Sequence, residues 1–380
     1  MKNLRILVYT PIGVKTGGPE CLYQICHTAR QLGLQAFLIP TWETRKSKPC
    51  KDFEIYSVEY LNWSDIQDRD FLIIPEMVNK LPKAILGKLK QKLIVWWLSV
   101  DNSPVAQLNG FEEKNHKYHE SWSYYEPKLS YKSVFSRFIK FLNNPIIILK
   151  FLYFETKLLK HKVKSKYSDI ISAPIRLENC IHVSQSKYAS DIVARTLGLE
   201  CSNLNDYVEV IDTVAESLEE NSVMKERKLI AYNPNKGGEF LKRVIEMIGD
   251  TVDFYPLSGL STTEVRLALK NADCYLDLGH FPGRDRIPRE AILSSCPVLL
   301  AKRGAARNDS DFPIPLKFKI DLESKSVAEV SESILKLLLD GKERMIKEQS
   351  DFFQQTLDSK SLQVNQIIEL HSILDARRSP

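Results

Sequence analysis

Short apolar segments alternate along most of this chain with segments whose apolar residues recur every three or four positions. Residues 4–10 form the first apolar segment, and Leu22, Ile25, Ala29 and Leu32 follow it with helical spacing. A short apolar run bounded by turn residues predicts a buried strand, whereas a spacing of three and four predicts an amphipathic helix. Strands that alternate with helices predict an α/β fold with a parallel, doubly wound sheet.

The alternation of predicted strands and helices occurs twice, and it therefore predicts two domains. The length of 380 residues agrees with this, because single hydrophobic cores seldom grow beyond about 250–300 residues. In the first domain we predict strands at 4–10, 35–40, 71–74, 93–98 and 180–183, and helices at 20–32, 84–92 and 187–197. In the second domain we predict strands at 228–232, 252–257, 274–278 and 298–301, and helices at 239–248, 262–271, 327–340 and 343–375. The polar, acidic segment 212–227 is the candidate linker, and the predicted domains are 1–215 and 216–380.

Residues 103–172 interrupt the alternation, and we predict that they form a helical insertion in the first domain. Their segment 128–166 contains ten Lys or Arg residues and one acid, Glu155, for a local charge of +9. Aromatic residues and the apolar run 146–149 lie among these cations. Such interleaving is typical of segments on an anionic membrane surface, but a pair of ordinary helices with a solvated lysine face gives the same pattern. Nucleic acid is the least favoured alternative, and we predict no nucleic-acid partner.

Composition places the chain among ordinary globular proteins, with 43% hydrophobic residues, 27% charged residues and a net charge of +5. The seven cysteines are scattered and contain no Cys-x-x-Cys pair, so they indicate neither a zinc site nor a disulfide framework. No apolar run approaches the roughly 20 residues that span a bilayer, and the first residues lack the apolar core of a signal peptide. We therefore predict a cytoplasmic protein with a possible peripheral contact to the inner membrane face through segment 128–166.

The candidate chemistry is concentrated in residues 276–298. A short apolar strand leads there into a Gly/Pro loop with Arg284, Asp285 and Arg286, and Glu290 follows in the first turns of a predicted helix. Ligands of open α/β sheets bind beside the carboxyl ends of strands, where helix N-termini favour anions. Guanidinium groups suit phosphate and a carboxylate can bridge ribose hydroxyls, so the pattern predicts a nucleotide-sugar site.

Two other turns could contribute to the same site. Lys236 and Gly237 stand where a predicted strand enters a helix, at a position where glycine permits close backbone approach to a phosphate. Gly17 and Gly18 end a predicted flexible loop, 13–18, after the first strand. Each feature also has a purely structural explanation: an acid near a helix N-terminus is stabilised by the helix dipole, and a loop with arginines forms internal ion pairs, with Asp285 holding one of them.

These segments resemble the donor-binding signature of GT-B glycosyltransferases, in which a helix that begins Glu-Ala is followed by a small residue and Pro-Val. Glu290, Ala291, Pro297 and Val298 occupy those positions. Upstream, residues 232–237 resemble the first turn of the donor domain, where a Lys-Gly pair meets the pyrophosphate, and residues 9–20 resemble the first strand and glycine loop of the partner domain. The matches occur in family order in both halves of the chain.

The resemblance implies two Rossmann-like domains that face a cleft, with a C-terminal helix that crosses back to the first domain. It also implies a set of donor-binding residues: Gly17, Gly18, Asn233, Lys236, Gly237, Arg284, Asp285, Arg286 and Glu290. Pro282 departs from the commonest retaining version, which has a second glutamate at this position. The sequence Gly-Arg-Asp-Arg that follows resembles a variant found in bacterial surface-polysaccharide transferases, of the lipopolysaccharide or capsule type.

The activity implied by the resemblance is transfer of a sugar from a nucleotide-activated donor to a surface glycan or a lipid-linked acceptor. We predict no resident cofactor and no metal, because the cations of these segments could neutralise the leaving diphosphate. Asp101, just after a predicted strand, is the candidate general base, although it could equally cap or turn the chain. Two alternatives stay open: a degenerate GT-B protein that binds a glycan or anionic lipid without turnover, and a nucleotide-sugar epimerase.

Overall fold

The computed structural model describes residues 4–41, 43–78, 80–89, 92–103, 172–209 and 227–377. Apart from their end residues, the predicted insertion 103–172 and the predicted linker 212–227 lie outside the described residues. The basic segment 128–166 and the predicted domain boundary at 215/216 also lie outside them. Two parallel sheets organise the described chain, and each packs against helices.

The first sheet contains strands from the first half of the chain, and apolar residues fill nearly every position of its central strands. Its strands are β1 (Arg5–Thr10), β2 (Gln35–Pro40), β3 (Phe71–Pro75), β5 (Leu93–Trp97), β7 (Ile181–Ser184) and β8 (Ser202–Asn203). The order is β2-β1-β3-β5-β7-β8, with parallel pairing throughout. Strands β4 (Lys80–Pro82) and β6 (Ser172–Pro174) form a separate antiparallel pair. The accompanying helices are α1 (Gly17–Gln31), α2 (Lys83–Leu89) and α3 (Lys187–Leu197).

The second sheet has the order β10-β9-β11-β12-β13 and is also parallel. Its strands are β9 (Lys228–Tyr232), β10 (Val252–Pro256), β11 (Cys274–Asp277), β12 (Val298–Ala301) and β13 (Lys319–Ile320). The helices that follow or connect them are α4 (Gly238–Ile248), α5 (Thr262–Asn271), α6 (Arg286–Leu293), α7 (Val327–Leu339), α8 (Lys342–Glu348), α9 (Ser350–Leu357) and α10 (Ser359–Ala376). Two parallel sheets with helices confirm the predicted α/β fold.

Two predicted elements are wrong. The predicted flexible loop 13–18 ends early, because Gly17 and Gly18 are already the first residues of α1, after Thr16 in an extended conformation. The predicted single helix 343–375 is three helices, α8, α9 and α10. The first break falls at Gln349, whose buried side chain bonds both the backbone N–H and the carbonyl of Val298.

The last helix returns to the first domain, as the resemblance implies. Ile367, Leu370 and Leu374 of α10 belong to the same buried cluster as the apolar residues of β1 and α1. Thr28 Oγ1 also donates to Gln363 Oε1 at 2.8 Å across this contact. The core of the first domain is therefore completed by residues that follow the second domain in the chain. Among the described residues, no helix is both long and apolar enough to cross a bilayer.

Candidate active site

A cavity of about 290 Å³ lies where the carboxyl ends of the two sheets face each other. From the first domain it is lined by residues that follow β1, β5 and β7, namely Gly17, Gly18, Cys21, Leu98, Ser99 and Gln185. From the second it is lined by residues beyond β9 and β11 and on α6, namely Asn233, Lys236, Asp277, Arg284, Asp285, Arg286, Ile287, Pro288 and Glu290. The structure thus brings the predicted donor residues together, with the exception of Gly237.

Gly237 supports the site through its backbone rather than by lining the cavity. Its φ of +85° lies in the left-handed region, which favours glycine. A Cβ at this position would lie 2.9 Å from Leu241 Cβ and 3.2 Å from Leu278 Cβ. Glycine therefore lets α4 begin close against the strand that carries Asp277.

Lys236 is held by two carboxylates at the edge of the second sheet. Its ammonium forms an ion pair with Asp285, lies 3.5 Å from Asp277 Oδ2, and donates to the carbonyl of His280 at 3.2 Å. Burial favours the neutral amine, but the charges of Asp277 and Asp285 outweigh it and raise the pKa of Lys236 above its ordinary value. Asp285 therefore binds the lysine, and the expectation that it would hold one of the neighbouring arginines is wrong.

Arg286, the first residue of α6, connects the two domains through carboxylates. Its Nη1 lies 2.8 Å from Glu20 Oε1 on α1, and its Nη2 donates to Glu290 Oε1 at 3.2 Å, one helical turn further along α6. Burial opposes the charged guanidinium, but Glu20 and Glu290 overcome this and raise the pKa of Arg286. A Cβ placed on Gly17 would lie 3.6 Å from Arg286 Cδ, so the glycine turn faces this arginine across the cleft.

Arg284 differs from its neighbours because no acidic side chain of the described residues pairs with it. Only 4% of the residue is exposed, and Nη2 donates to Gln355 Oε1 at 2.9 Å. In the part of the chain that the structure describes, its Nε has no hydrogen-bond partner and no carboxylate forms an ion pair with it. Burial and the nearby charge of Arg289 lower the pKa of Arg284 to about 10. The group remains a buried cation at neutral pH, with a donor left unused.

A fully buried ion pair lies beneath the arginine loop and joins the domains. Arg289 Nη2 donates to Asp206 Oδ2 at 2.6 Å, and neither side chain has any exposed surface. Gln185 Nε2 donates to the other carboxylate oxygen at 2.6 Å, and Arg289 also donates to the carbonyl of Arg284 at 2.8 Å. The pair therefore fixes the backbone that presents Arg284 to the cavity.

Sequence reasoning missed this pair. The one signal for Arg289 is its place beside Glu290, and nothing in the sequence marks Asp206. The same is true of Glu76, whose buried carboxylate accepts the N–H groups of Leu98 and Ser99 at 3.0 and 2.8 Å. Burial raises the pKa of Glu76. These two bonds fix the first-domain wall of the cavity.

Asp101 lies in a cluster next to the cavity and is not one of the residues that line it. Its Oδ2 is 2.5 Å from Nε2 of His280, and Tyr188 OH donates to the same oxygen at 3.0 Å. This places the candidate base of the first domain against a histidine of the second domain. Its role as the base stays a prediction.

The loop from 279 to 286 fits closely against the first domain. A Cβ on Gly283 would lie 2.0 Å from the carbonyl oxygen of Leu98, so only glycine can occupy this position without displacing the backbone. In the described residues, no cluster of three or more His, Cys, Asp or Glu side chains has the arrangement of a metal site.

The sequence matches no protein-family model, and no curated protein sequence is similar to it. The structure is similar to the crystal structure of a glycosyltransferase from Rickettsia africae ESF-5, with a TM-score of 0.57 and 11% identity over 100% of both chains. The chain has the GT-B fold. A second similar structure is the N-terminal domain of trehalose-6-phosphate phosphatase from Candida albicans, with a TM-score of 0.58 and 11% identity over 100% of this chain and 97% of the other.

The GT-B fold accounts for the position of the cavity between the two sheets. It also accounts for the return of α10 to the first domain. At 11% identity the similarity establishes the fold, and substrates have to be argued from the residues of this chain.

Proposed function

We propose that this chain is a glycosyltransferase that binds a nucleotide sugar in the cavity between its domains. The observation that carries the proposal concerns two arginines that line this cavity: the buried Nε of Arg284 and the buried Nη1 of Arg286 have no hydrogen-bond partner in the described residues. A buried donor without a partner costs about 1–3 kcal/mol, more when charged, so an anion that accepts from both is stabilised. A nucleoside diphosphate provides such an anion.

Glu290 supplies the second requirement of a nucleotide sugar, a contact for hydroxyl groups. Its Oε1 faces Arg286, while its Oε2 has no bond within the described part of the chain. The residue is 5% exposed and lines the cavity, so a ribose that reaches Oε2 would be held in a largely desolvated place. The ion pair with Arg286 holds the carboxylate in this position.

In this proposal the donor occupies the second domain, and the acceptor, a surface glycan or a lipid-linked sugar, approaches from the first domain and its insertion. Contact between the domains excludes water, which favours transfer to an acceptor hydroxyl over hydrolysis. Lys236, Arg284 and Arg286 would neutralise the leaving diphosphate without a metal ion. No resident cofactor is needed, because the nucleotide sugar is itself the substrate.

Replacing Glu290 with Gln should weaken binding of the nucleotide sugar at least tenfold, because a neutral amide oxygen is a weaker acceptor for the ribose hydroxyls than a carboxylate oxygen. The measurement is the rise in melting temperature that each member of a panel of UDP-, dTDP-, GDP- and ADP-sugars produces, since a ligand of the folded state stabilises it by mass action. Glu239→Gln, on the exposed first turn of α4, is the matched control and should behave as the wild type.

A wild type that no nucleotide sugar stabilises would contradict the proposal. A wild type that binds a donor but transfers its sugar to no acceptor would favour the alternative of a binding protein without turnover.

The basic segment 128–166 is proposed to hold the enzyme against the membrane that carries a lipid-linked acceptor. Its local charge of +9 should bind the protein to anionic vesicles at low salt, and the binding should weaken as salt shortens the Debye length to about 8 Å. Co-sedimentation with phosphatidylglycerol vesicles and with neutral phosphatidylcholine vesicles measures the difference. Replacing Lys157, Lys160, Lys162 and Lys164 with Gln should abolish it, and equal binding of the wild type to both vesicles would refute the proposal.

A further inference from the structure

Glu20, in the first domain, contacts Arg286, which lines the cavity from the second domain. It lies in the first turn of α1, next to the glycines that line the cavity, and 22% of its side chain is exposed. Its Oε1 is 2.8 Å from Arg286 Nη1. Glu20 belongs to the segment 9–20 that carries the resemblance, but it was not among the predicted donor-binding residues.

The contact between Glu20 and Arg286 is an ion pair without the geometry of a hydrogen bond. Nη1 of Arg286 is buried, and despite the short distance its N–H groups have no hydrogen-bond partner among the described residues. Nη2 and Nε of the same guanidinium both approach Glu290. Nη1 of Arg286 therefore still has N–H groups without an acceptor in the described chain, although the carboxylate of Glu20 lies beside it.

Glu20 has a second partner that does not depend on Arg286. Tyr56 OH donates to Glu20 Oε1 at 2.7 Å, and Tyr56 is itself buried and receives a hydrogen bond from Gln24 Nε2 at 3.2 Å. The burial of the phenol and the charge of Glu20 raise the pKa of Tyr56, so it remains a donor at any pH at which the protein functions. If Glu20 moved away from Arg286, the hydrogen bond from Tyr56 would still stabilise the negative charge of the Glu20 carboxylate.

We infer that the carboxylate of Glu20 occupies the position beside Arg286 that a phosphate of the bound nucleotide takes. When the nucleotide binds, its phosphate displaces Glu20 from Arg286. The inference rests on the proposed function, because it assigns the competitor for the same anion site. Arg286 lies between two carboxylates, so a phosphate that approaches Nη1 meets the negative charge of Glu20 at close range. Displacement removes this repulsion and gives Nη1 an acceptor that can lie along its N–H bonds. Glu20 is thus a positioning residue that lowers the affinity for the nucleoside diphosphate and favours its release.

The test compares Glu20→Gln with the wild type in calorimetric binding of UDP, dTDP, GDP and ADP. The nucleoside diphosphate that the wild type binds most tightly should bind Glu20→Gln about five- to tenfold more tightly, because the competing charge is gone. Tyr56→Phe should have the opposite effect and weaken binding two- to fivefold. Without the hydrogen bond from Tyr56, the carboxylate of Glu20 is stabilised less once it has left Arg286, so its displacement costs more. Glu59→Gln is the matched control: it also removes a carboxylate paired with an arginine, Arg30, but on an exposed surface.

The possible outcomes separate the inference from the function on which it rests. A wild type that binds none of the four nucleoside diphosphates would overturn both. A wild type that binds one of them, with unchanged or weaker binding by Glu20→Gln, would overturn the inference alone. If Glu20→Gln does not fold, Glu20→Asp is used for the test. The aspartate side chain is one methylene group shorter, so its carboxylate lies further from Arg286, and the gain in affinity should be smaller.

Discussion

Replacing Arg289 with Met should lower the free energy of unfolding by about 3–5 kcal/mol. The change leaves Asp206 charged, fully buried and without its ion-pair partner. Burial alone would raise the pKa of Asp206, but the charges of Arg289, Arg284 and Arg286 hold it below its usual range. The stabilising contribution is therefore complete at neutral pH and is lost only as the pH falls below about 4. Urea-induced unfolding at pH 7 measures the loss.

Two further variants make this test specific to the buried pair. Arg344→Met removes an arginine that is 65% exposed in its ion pairs with Asp340 and Glu348, and it should cost less than about 1 kcal/mol. The double variant Arg289→Met with Asp206→Leu removes both charges and should recover most of the stability, because apolar side chains can replace a buried ion pair. A cost for Arg289→Met as small as that of Arg344→Met would show that the pair contributes little.

Replacing Arg284 with Ala should weaken binding of the nucleoside diphosphate by roughly tenfold to a hundredfold. A hydrogen bond to a charged group contributes about 1.5–3 kcal/mol, and Arg284 is the cavity arginine without a competing carboxylate in the described structure. Calorimetry with the nucleoside diphosphate that the wild type prefers measures the change. Arg195→Ala, an exposed arginine on α3 outside the cavity, is the control.

The same titration tests the proposed independence from metal ions. Wild-type affinity should be unchanged when EDTA is present, because Lys236, Arg284 and Arg286 supply the positive charge. Binding that requires Mg²⁺ or Mn²⁺ would refute this part of the proposal.

The sequence was sufficient for most of the fold because many elements are specified locally. Helix α5 begins and ends where periodicity predicts, and Ser261 with Glu264 forms a capping box at its start. Strand β9 also has its predicted bounds, since a continuous apolar run between polar residues allows few alternatives. The break of the predicted helix 343–375 was not visible, because Gln349 is a good helix former whose role is to bond Val298, 51 residues away.

For the site, the sequence indicated which residues meet but not how they pair. The carboxyl ends of parallel strands must converge, so Lys236, Arg284 and Glu290 could be placed in one cleft from their positions alone. The partner of each charge depends on distances of a few ångströms between separate elements. The pairing of Lys236 with Asp285 and the burial of Asp206 against Arg289 are of this kind, and no local pattern encodes them.

The return of α10 to the first domain constrains the order in which the protein can be completed during synthesis. Domains usually fold as they leave the ribosome, beginning with the N-terminal one. Here Ile367, Leu370 and Leu374 belong to the first core but are translated after every strand of the second sheet. Until they arrive, apolar side chains of β1 and α1 stay uncovered while the rest of the chain is made. The nascent first domain should therefore be a client for chaperones, and a fragment that stops before α10 should aggregate unless the helix is supplied as a separate peptide.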